Sequence, residues 1–278
     1  MDIRKVQLSG LKIPKVLQIN QLYTFFVKDL PASFFYEGEY HDFWELVICT
    51  RGKIGITGGK YICDLKAGEC FFHRPMEFHN VWSQSSDGAQ MQIITFSCSS
   101  IMNIRHAPYI LTNAQRETFE NLFRQAQRTF DFFGGNITGI SGKDYGQGQV
   151  FVNLLENLLI EIVTGNEVTE TPVADRNAQR YRTAVEVMDS NWDQRLTVAQ
   201  IAELCGLGEA NLKKIFKKYA GIGVMEYYAS VKTEQAKKLL SEGKSVRQTA
   251  ELLGFMDQNY FCVFFKRQTG VSPSKYMR

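Results

Sequence analysis

Two stretches near the carboxyl end share one pattern: TVAQIAELCGL at residues 197–207 and SVRQTAELLGF at residues 245–255. The second copy follows the first by 48 residues. In each copy a hydroxyl residue stands three positions before a glutamine, which is the capping box that begins many helices. Each helix is predicted to end at a glycine, Gly206 or Gly254, because glycine readily adopts the left-handed conformation that stops a helix. The repeat therefore predicts one structural unit that is built twice.

A second helical pattern follows each copy. Apolar residues recur in it at helical spacing, and the predicted buried positions are Leu212, Ile215, Phe216, Phe261, Phe264 and Phe265. A helix, a tight turn with glycine and a second helix form the helix-turn-helix, whose second helix enters a DNA major groove. We place the two units at residues 197–218 and 245–267, joined by a rigid helix at 224–240. In the first helix of each unit, Leu204 and Leu252 are expected to face inward with the other apolar residues.

These residues closely resemble the DNA-binding domain of the AraC/XylS transcription regulators. The matching positions are Ile201, Ala202, Leu212, Ile215, Phe216, Lys217, Gly221, Tyr227, Ala236, Leu239, Leu240, Gly254, Phe255, Tyr260, Phe261, Phe265, Lys266, Gly270, Pro273 and Tyr276. The resemblance covers the last third of the chain in motif detail. It implies a sequence-specific DNA-binding regulator, an activator by family habit, with double-stranded DNA and RNA polymerase as partners.

The outward positions of the two second helices are the predicted DNA contacts. They are Ala210, Asn211, Lys213, Lys214, Lys217, Gln258, Asn259, Cys262, Val263 and Lys266. Lysine donates to guanine, and asparagine pairs with adenine. Val263 stands where the family typically has an arginine, which weakens polar readout by the second unit. We therefore expect the first unit to dominate sequence recognition and the second to contribute mainly backbone affinity.

The front of the chain changes to short segments rich in β-branched and aromatic residues. Residues 43–48 and 91–96 are examples, and turns with Gly52, Gly59 and Gly68 separate such segments. Many short strands at this spacing predict a sandwich or barrel, cupin-like jelly rolls included. The predicted fold class is α+β. It comprises a cupin-like β-barrel with flanking helices (1–165), a linker (166–177), and an all-α domain with both helix-turn-helix units (178–278).

One stretch of this front domain resembles the sensor barrel that precedes the DNA-binding domain in many family members. It runs from His41 to Glu45, and Gly52, Leu65, Gly68, Glu69, Pro75 and His79 follow at matching positions. The resemblance implies a pocket for a small-molecule effector, a sugar or another metabolite. The candidate effector-binding residues are His41, Glu45, His79 and Trp82.

Cupin enzymes commonly hold a metal through a His-x-His pair, a following glutamate and a later histidine, and Glu39 stands in the first histidine position here. Three interpretations stay open at these positions: effector-pocket lining, structural polar residues at the barrel mouth, or metal ligands. No catalytic residue, metal or cofactor is predicted, and the chain is not expected to be an enzyme. Two alternative functions are a cupin metalloenzyme fused to a DNA-binding module and a regulator controlled by a protein partner.

The region between the barrel and the linker has two helical patterns, at residues 113–132 and 150–163. The glycine-rich stretch between them, residues 134–148, is expected to be a mobile loop. Leu154, Leu155 and Leu158 lie on the broad apolar stripe of the second helix. Family members often dimerise through this helix pair, so a homodimer through these leucines is expected. The alternative is that both helices only cover the barrel.

Composition narrows the class of protein. The 278 residues are 44% hydrophobic with a mean hydropathy of −0.22, and apolar runs are all shorter than the ~20 residues that span a bilayer. From Ala178 onward 16 Lys and Arg stand against 10 Asp and Glu, which suits a domain that meets phosphates. The six cysteines form no C-x-x-C pair, so reduced thiols in a cytoplasmic protein are expected.

Overall fold

The computed structural model describes residues 11–100, 103–143, 145–168 and 176–277. Most of the expected N-terminal arm and residues 169–175 of the expected linker lie outside the described residues. Across the described ranges, no helix is both long enough and apolar enough to cross a membrane.

The front half of the chain forms two antiparallel sheets. Its strands are β1 (Gln18–Leu30), β2 (Trp44–Arg51), β3 (Lys53–Gly58), β4 (Tyr61–Lys66), β5 (Glu69–His73), β6 (His79–Ser83), β7 (Ala89–Ser100), β8 (Tyr109–Ile110), β9 (Phe130–Phe133) and β10 (Asn136–Ile140). The large sheet has the order β8-β5-β2-β7-β1-β10-β9, and the small sheet has the order β4-β3-β6. Gly52 and Gly68 turn the chain between strands with positive φ angles of 72° and 89°. The predicted α+β class and sheet-rich front domain are confirmed.

Alternation along the strands gives the large sheet two apolar faces. On β2, Val47 and Cys49 join the core between the two sheets, together with Ile54 and Ile56 of the small sheet. Leu46, on the opposite face of β2, joins a second core on the outside of the large sheet. Two helices, α1 (Asn113–Thr129) and α2 (Tyr145–Gly165), cover that outer face.

The region after α1 differs from the prediction. The helix ends at Thr129 rather than at residue 132, and residues 134–148 are not one loop. The chain forms the hairpin β9–β10, which turns at Gly134 and Gly135 with φ angles of 58° and 87°. Asn136 of β10 pairs with Thr24 of β1, so the hairpin extends the large sheet. The glycines therefore form a tight turn, and pairing with the free edge of β1 orders the residues after them.

The C-terminal half is helical, as predicted. Its helices are α3 (Arg176–Ser190), α4 (Val198–Leu204), α5 (Glu209–Tyr219), α6 (Val224–Ser241), α7 (Val246–Leu252), α8 (Gln258–Thr269) and α9 (Pro273–Tyr276). Both capping boxes are formed, at Thr197 and Ser245, and Gly206 and Gly254 have φ angles of 63° and 74°. The units α4–α5 and α7–α8 are thus helix-turn-helices joined by α6.

The inward placement of Leu204 and Leu252 is wrong. Their side chains are 54% and 44% exposed. The two first helices have only seven residues each, so the face that packs on the second helix holds few side chains. Ile201, Ala202 and Ala250 occupy that face.

A buried lysine joins α6 and the loop between α3 and α4 to the second unit. Lys232 on α6 donates from Nζ to the carbonyl oxygens of Trp192 at 2.6 Å and Leu253 at 2.7 Å. Its ammonium also lies over the rings of Tyr228 and Phe255, 5.3 Å and 5.6 Å from their centroids. Burial lowers the pKa of Lys232 to about 8. Because Leu253 is the C-cap of α7, the lysine satisfies a carbonyl that the helix leaves without a partner.

Lys232→Met is therefore expected to destabilise the C-terminal domain by about 2–3 kcal/mol, since it leaves two buried carbonyls unsatisfied. Lys238→Met is the matched control, because Lys238 lies on the same helix with an exposed side chain. Urea denaturation followed by circular dichroism measures both. Equal losses of stability in the two variants would show that the buried contacts contribute nothing.

Candidate functional site

A cavity of about 360 Å³ lies between the two sheets, within the size range of small-molecule pockets. One part of its wall is apolar and aromatic, with Phe26, Phe43, Val47, Met91 and Ile93. Polar side chains of the same lining include Thr24, Glu39, His41, Glu45, His79 and Thr95. Three of the four predicted effector-binding residues, His41, Glu45 and His79, are therefore brought together in one cavity.

The polar end is a compact group of histidines and carboxylates. Nε2 of His41 lies 3.6 Å from Oε2 of Glu45, and Nε2 of His79 lies 3.6 Å from the other carboxylate oxygen, Oε1. One side-chain nitrogen or oxygen from each of Glu39, His41, Glu45 and His79 lies within 4.8 Å of all the others. We call these four residues the Glu/His cluster.

Backbone pairing sets this arrangement. Glu45 lies on β2 and His79 begins β6, so they belong to different sheets. Glu39 and His79 exchange two backbone hydrogen bonds of 3.0 Å each, as in an antiparallel bridge. The ring of His41 stacks on Phe43 with centroids 3.8 Å apart. The segment at residues 35–41 thus lies along β6 like a short extra strand and brings its side chains to the cavity.

The buried rings near the cluster have shifted pKa values. Burial lowers the pKa of His79 to about 4, and His73, stacked 4.4 Å away, adds to that shift. Burial alone would raise the pKa of Glu77, but His106, at 2.8 Å, and His73 outweigh it and lower that pKa to about 2. His79 is therefore neutral and Glu77 ionised near pH 7.

All four histidines of the chain lie in this connected group, and the sequence indicated only two of them. His73 stands opposite Glu45 in the register of β5 with β2. The alternation of β5 could have indicated this position. His106 lies outside regular secondary structure, so no periodic pattern points to it.

The second helices of the two units, α5 and α8, present the predicted DNA contacts to solvent. Ala210, Lys213, Lys214, Lys217, Gln258, Asn259, Val263 and Lys266 are exposed, and Asn211 and Cys262 are half-buried. Val263 is 67% exposed, although it is apolar. Gly208 begins α5 without a side-chain cap, whereas Asp257 caps α8 by accepting from the backbone N–H of Asn259 at 2.9 Å.

The AraC-like ligand binding domain model matches residues 27–132, and a helix-turn-helix domain model matches residues 201–278. The arabinose operon regulatory protein of Salmonella typhimurium is 30% identical over 237 residues, which are 83% of this chain and 81% of that protein. The chain belongs to the AraC family of transcription regulators.

Other similar proteins match only part of this AraC-family chain. AdaA of Bacillus subtilis, a bifunctional transcriptional activator and DNA repair enzyme, is 32% identical over 92 residues, 33% of this chain and 44% of AdaA. The arabinose operon regulatory protein of Escherichia coli is 31% identical over 149 residues, 52% of this chain and 50% of that protein. Among solved structures, the C-terminal domain of AraT from Geobacillus stearothermophilus has a TM-score of 0.36 at 28% identity and covers 37% of this chain and 88% of that one.

Trp82, the fourth predicted effector-binding residue, does not line the cavity of this AraC-family barrel. Side chains alternate along β6, so Val81 joins the core between the sheets while Trp82 lies on the outer face. The indole covers Gly55 of β3, where an added Cβ would lie 2.2 Å from it. Its ring centroid is 6.3 Å from that of Tyr219 on α5. Trp82 therefore belongs to a contact with the helix-turn-helix domain.

Two of the three leucines predicted to form a dimer interface are buried in the core of the protein. Leu155 and Leu158 are buried against the outer face of the large sheet. The broad apolar stripe of α2 packs on the sheet, so its breadth does not indicate a dimer interface. The prediction for Leu155 and Leu158 is wrong for this reason. Leu154 is exposed, as is Val150 one turn before it.

The outer face of the small sheet packs on the first helix-turn-helix unit. Ile62 and Phe78 share one buried cluster with Tyr181 of α3 and Tyr227 of α6. The Tyr181 hydroxyl donates to the carbonyl oxygen of Gly59 at 3.2 Å. The small sheet therefore has the cavity on one side and the DNA-binding domain on the other.

The segment at 35–41 adds a second contact. Nζ of Lys217 lies 3.1 Å from Oε1 of Glu37. Gly221 has a φ of +69°, and an added Cβ there would lie 1.6 Å from the carbonyl oxygen of Glu37. Only glycine meets both constraints, so the segment that carries Glu39 and His41 also packs closely on the end of α5.

Gly221→Ala is expected to separate the barrel from α5, because its methyl group would occupy the position of the Glu37 carbonyl. Gly243→Ala is the matched control: its φ is +83°, but no described atom lies within 4 Å of the added Cβ. Both variants carry the backbone strain of about 1 kcal/mol. Hydrogen exchange should therefore rise across 35–41 and β6 in Gly221→Ala alone. A similar rise in both variants would contradict the contact.

Proposed function

We propose that this AraC-family regulator binds double-stranded DNA through the outward faces of α5 and α8. One observation carries the proposal: two helix-turn-helix units, joined by the continuous helix α6, expose eight of the ten predicted contact positions to solvent. Recognition helices that enter successive major grooves on one face of DNA lie about 34 Å apart, one helical turn. The basic balance of this part of the chain, 16 Lys and Arg against 10 Asp and Glu, favours contact with phosphates.

The two helices have different chemistry. Lys213 and Lys214 give α5 two exposed donors for base edges or phosphates. On α8, Asn259 is the residue suited to an adenine, and the exposed Val263 suits a thymine methyl. Asp257 places a carboxylate at the start of α8, where a phosphate would otherwise be attracted. These differences support a first unit that dominates sequence recognition.

Lys214→Ala is expected to relax specificity at one base position of a bound site by about 1–3 kcal/mol, whereas Lys266→Ala should weaken binding to all sequences alike. Base-substitution profiles measured at low and at physiological salt check this, starting from sites selected from random DNA. If the Lys214→Ala profile matches the native profile, Lys214 does not read a base. If no site is selected at all, the DNA-binding proposal is wrong.

We further propose that the cavity between the sheets binds a small polar metabolite and that a sugar is the first class to test. The cavity is lined by aromatic side chains and by convergent polar groups, which suit the faces and hydroxyls of a sugar. Two similar proteins are named for sugar operons: the arabinose regulator of Salmonella typhimurium and the raffinose regulator of Pediococcus pentosaceus, which is 24% identical over 127 residues. Binding would act through β6 and the segment at 35–41, which contact both the cavity and the first unit.

One sugar in a panel is expected to raise the melting temperature of the full chain and to give a calorimetric binding isotherm. Glu45→Gln should weaken that binding by about tenfold or more, because it removes a buried charged acceptor. Trp82→Phe is the control, since Trp82 lies outside the cavity lining. If Trp82→Phe loses the sugar and Glu45→Gln retains it, the ligand binds elsewhere.

We propose a homodimer that uses the exposed residues Val150 and Leu154 of α2, activation through RNA polymerase, and a cytoplasmic location. We assign no catalytic residue. The alternative of a cupin enzyme has the Glu/His cluster in its favour, but the similarity over 83% of the chain is to a transcription regulator and supports a regulatory role for this domain.

A further inference from the structure

We propose that a cavity between the two helix-turn-helix units binds a small aromatic carboxylate. The cavity has a volume of about 360 Å³ and is lined by residues of α6, of α8 and of the segment at 195–197, which precedes α4. We call it the inter-unit cavity. This inference goes beyond the proposed function, because it depends neither on DNA binding nor on a ligand in the barrel.

The first argument is the charge of the inter-unit cavity. Three cationic side chains line it, Arg195, Lys232 and Arg267, and none of the described residues in its lining is acidic. Burial lowers the pKa of Lys232 to about 8, Asp193 raises it and Arg195 lowers it further. Lys232 is therefore still mostly protonated near pH 7. Because like charges repel at close range, an anion bound between these side chains would be stabilised.

The second argument is unused hydrogen-bonding capacity. The ammonium of Lys232 has three N–H donors, and the carbonyl oxygens of Trp192 and Leu253 accept two of them. The side chains of Arg195 and Arg267 make no hydrogen bond or ion pair with any residue that the structure describes. The planar guanidinium of an arginine fits the two oxygens of a carboxylate. Lys232 is buried and both arginines are exposed, so the cavity has donors at its floor and at its rim.

The third argument is the aromatic part of the lining. The rings of Tyr228, Phe255, Tyr260 and Phe264 line the cavity together with the cations. The ring centroid of Phe255 lies 5.0 Å from that of Phe264 and 5.9 Å from that of Tyr260, so these three rings form one wall. An aromatic ligand gains stability from offset or edge-to-face packing on such a wall. An inorganic anion has no ring and gains nothing from it.

A DNA phosphate would use only part of this cavity. It could pair with the exposed arginines, but Lys232, Tyr228 and Phe264 are only 6%, 2% and 8% exposed. The sugars and bases on either side of a phosphate hold it at the surface of a duplex, so it cannot reach side chains this deep. A small molecule with a flat ring and a carboxylate matches both the buried rings and the cations.

The inter-unit cavity differs from the barrel cavity in the charge of the ligand that it favours. Glu39 and Glu45 line the barrel cavity, whereas the inter-unit cavity is cationic. Its lining includes Thr197 of the first unit and Arg267 of the second. A bound aromatic carboxylate would therefore contact both units at once and give the DNA-binding domain a ligand site of its own.

The test is isothermal titration calorimetry of the full chain with 2-naphthoate, with no sugar or DNA present. One saturable site per chain is expected. The alcohol 2-naphthalenemethanol has the same rings and no charge, so it should bind at least about tenfold more weakly because it cannot make the charged hydrogen bonds. Inorganic phosphate should also bind more weakly than 2-naphthoate, because it cannot pack on the rings.

Two variants locate the site. Arg195→Gln and Arg267→Gln should each weaken 2-naphthoate binding by about tenfold, since each removes a charged donor. Both arginines are exposed, so neither substitution disturbs a core. Arg247→Gln is the matched control, because Arg247 is an exposed arginine of α7 that does not line the cavity. It should bind 2-naphthoate as tightly as the native chain.

The proposal is overturned if 2-naphthoate gives no saturable binding to the native chain. It is also overturned if Arg195→Gln and Arg267→Gln bind as tightly as Arg247→Gln, which would show that the anion binds elsewhere. If phosphate binds as tightly as 2-naphthoate, the cations form a general anion site and the aromatic class is wrong. None of these outcomes bears on sugar or DNA binding, which the experiments above test separately.

Discussion

The small sheet, β4-β3-β6, is buried on both of its faces, and the rest of the structure depends on that constraint. Its inner face closes the cavity, and its outer face packs on the first helix-turn-helix unit. Successive side chains of β6 therefore belong to different compartments: Val81 lies in the barrel core, and Trp82 lies against α5. Because one backbone carries both, a change in packing on one face must be accommodated on the other. This is a physical route for coupling between a ligand and a recognition helix.

The two units are not equivalent in this respect. The first shares its core with Ile62 and Phe78 of the barrel, whereas the core of the second consists of residues from α6 onward, with Trp192 packed against it. The barrel therefore contacts α5 directly, whereas the second unit packs on α6 and on the loop between α3 and α4, through Lys232, Trp192 and Asp193. The unit with the more polar outward face is also the unit in contact with the barrel. If the first unit dominates recognition as proposed, the reading helix is also the helix that the barrel contacts.

Local chemistry explains how much of the fold could be predicted from the sequence. The capping boxes at Thr197 and Ser245 and the glycines that end their helices act within a few residues, so pattern alone located them. The wrong predictions concern residues that could pack against more than one surface. Leu155 and Leu158 suited a dimer as well as a sheet, and only the tertiary structure shows which surface covers them. Trp82 is a different case, since it lies three residues after His79 and the alternation of a strand already excluded a shared face.

The charge of the Glu/His cluster decides what kind of molecule the cavity can accept. Glu39 and Glu45 are carboxylates, and burial keeps His79 neutral near pH 7. The carboxylate of Glu45 therefore gives the polar end a charged acceptor, which suits a neutral, hydroxyl-rich ligand that donates hydrogen bonds. The same cluster also lies next to the DNA-binding domain, because Glu39 and His41 belong to the segment at 35–41, whose Glu37 contacts Lys217 on α5. A ligand that binds Glu39 or His41 would therefore meet a segment that contacts both the cavity and the first unit.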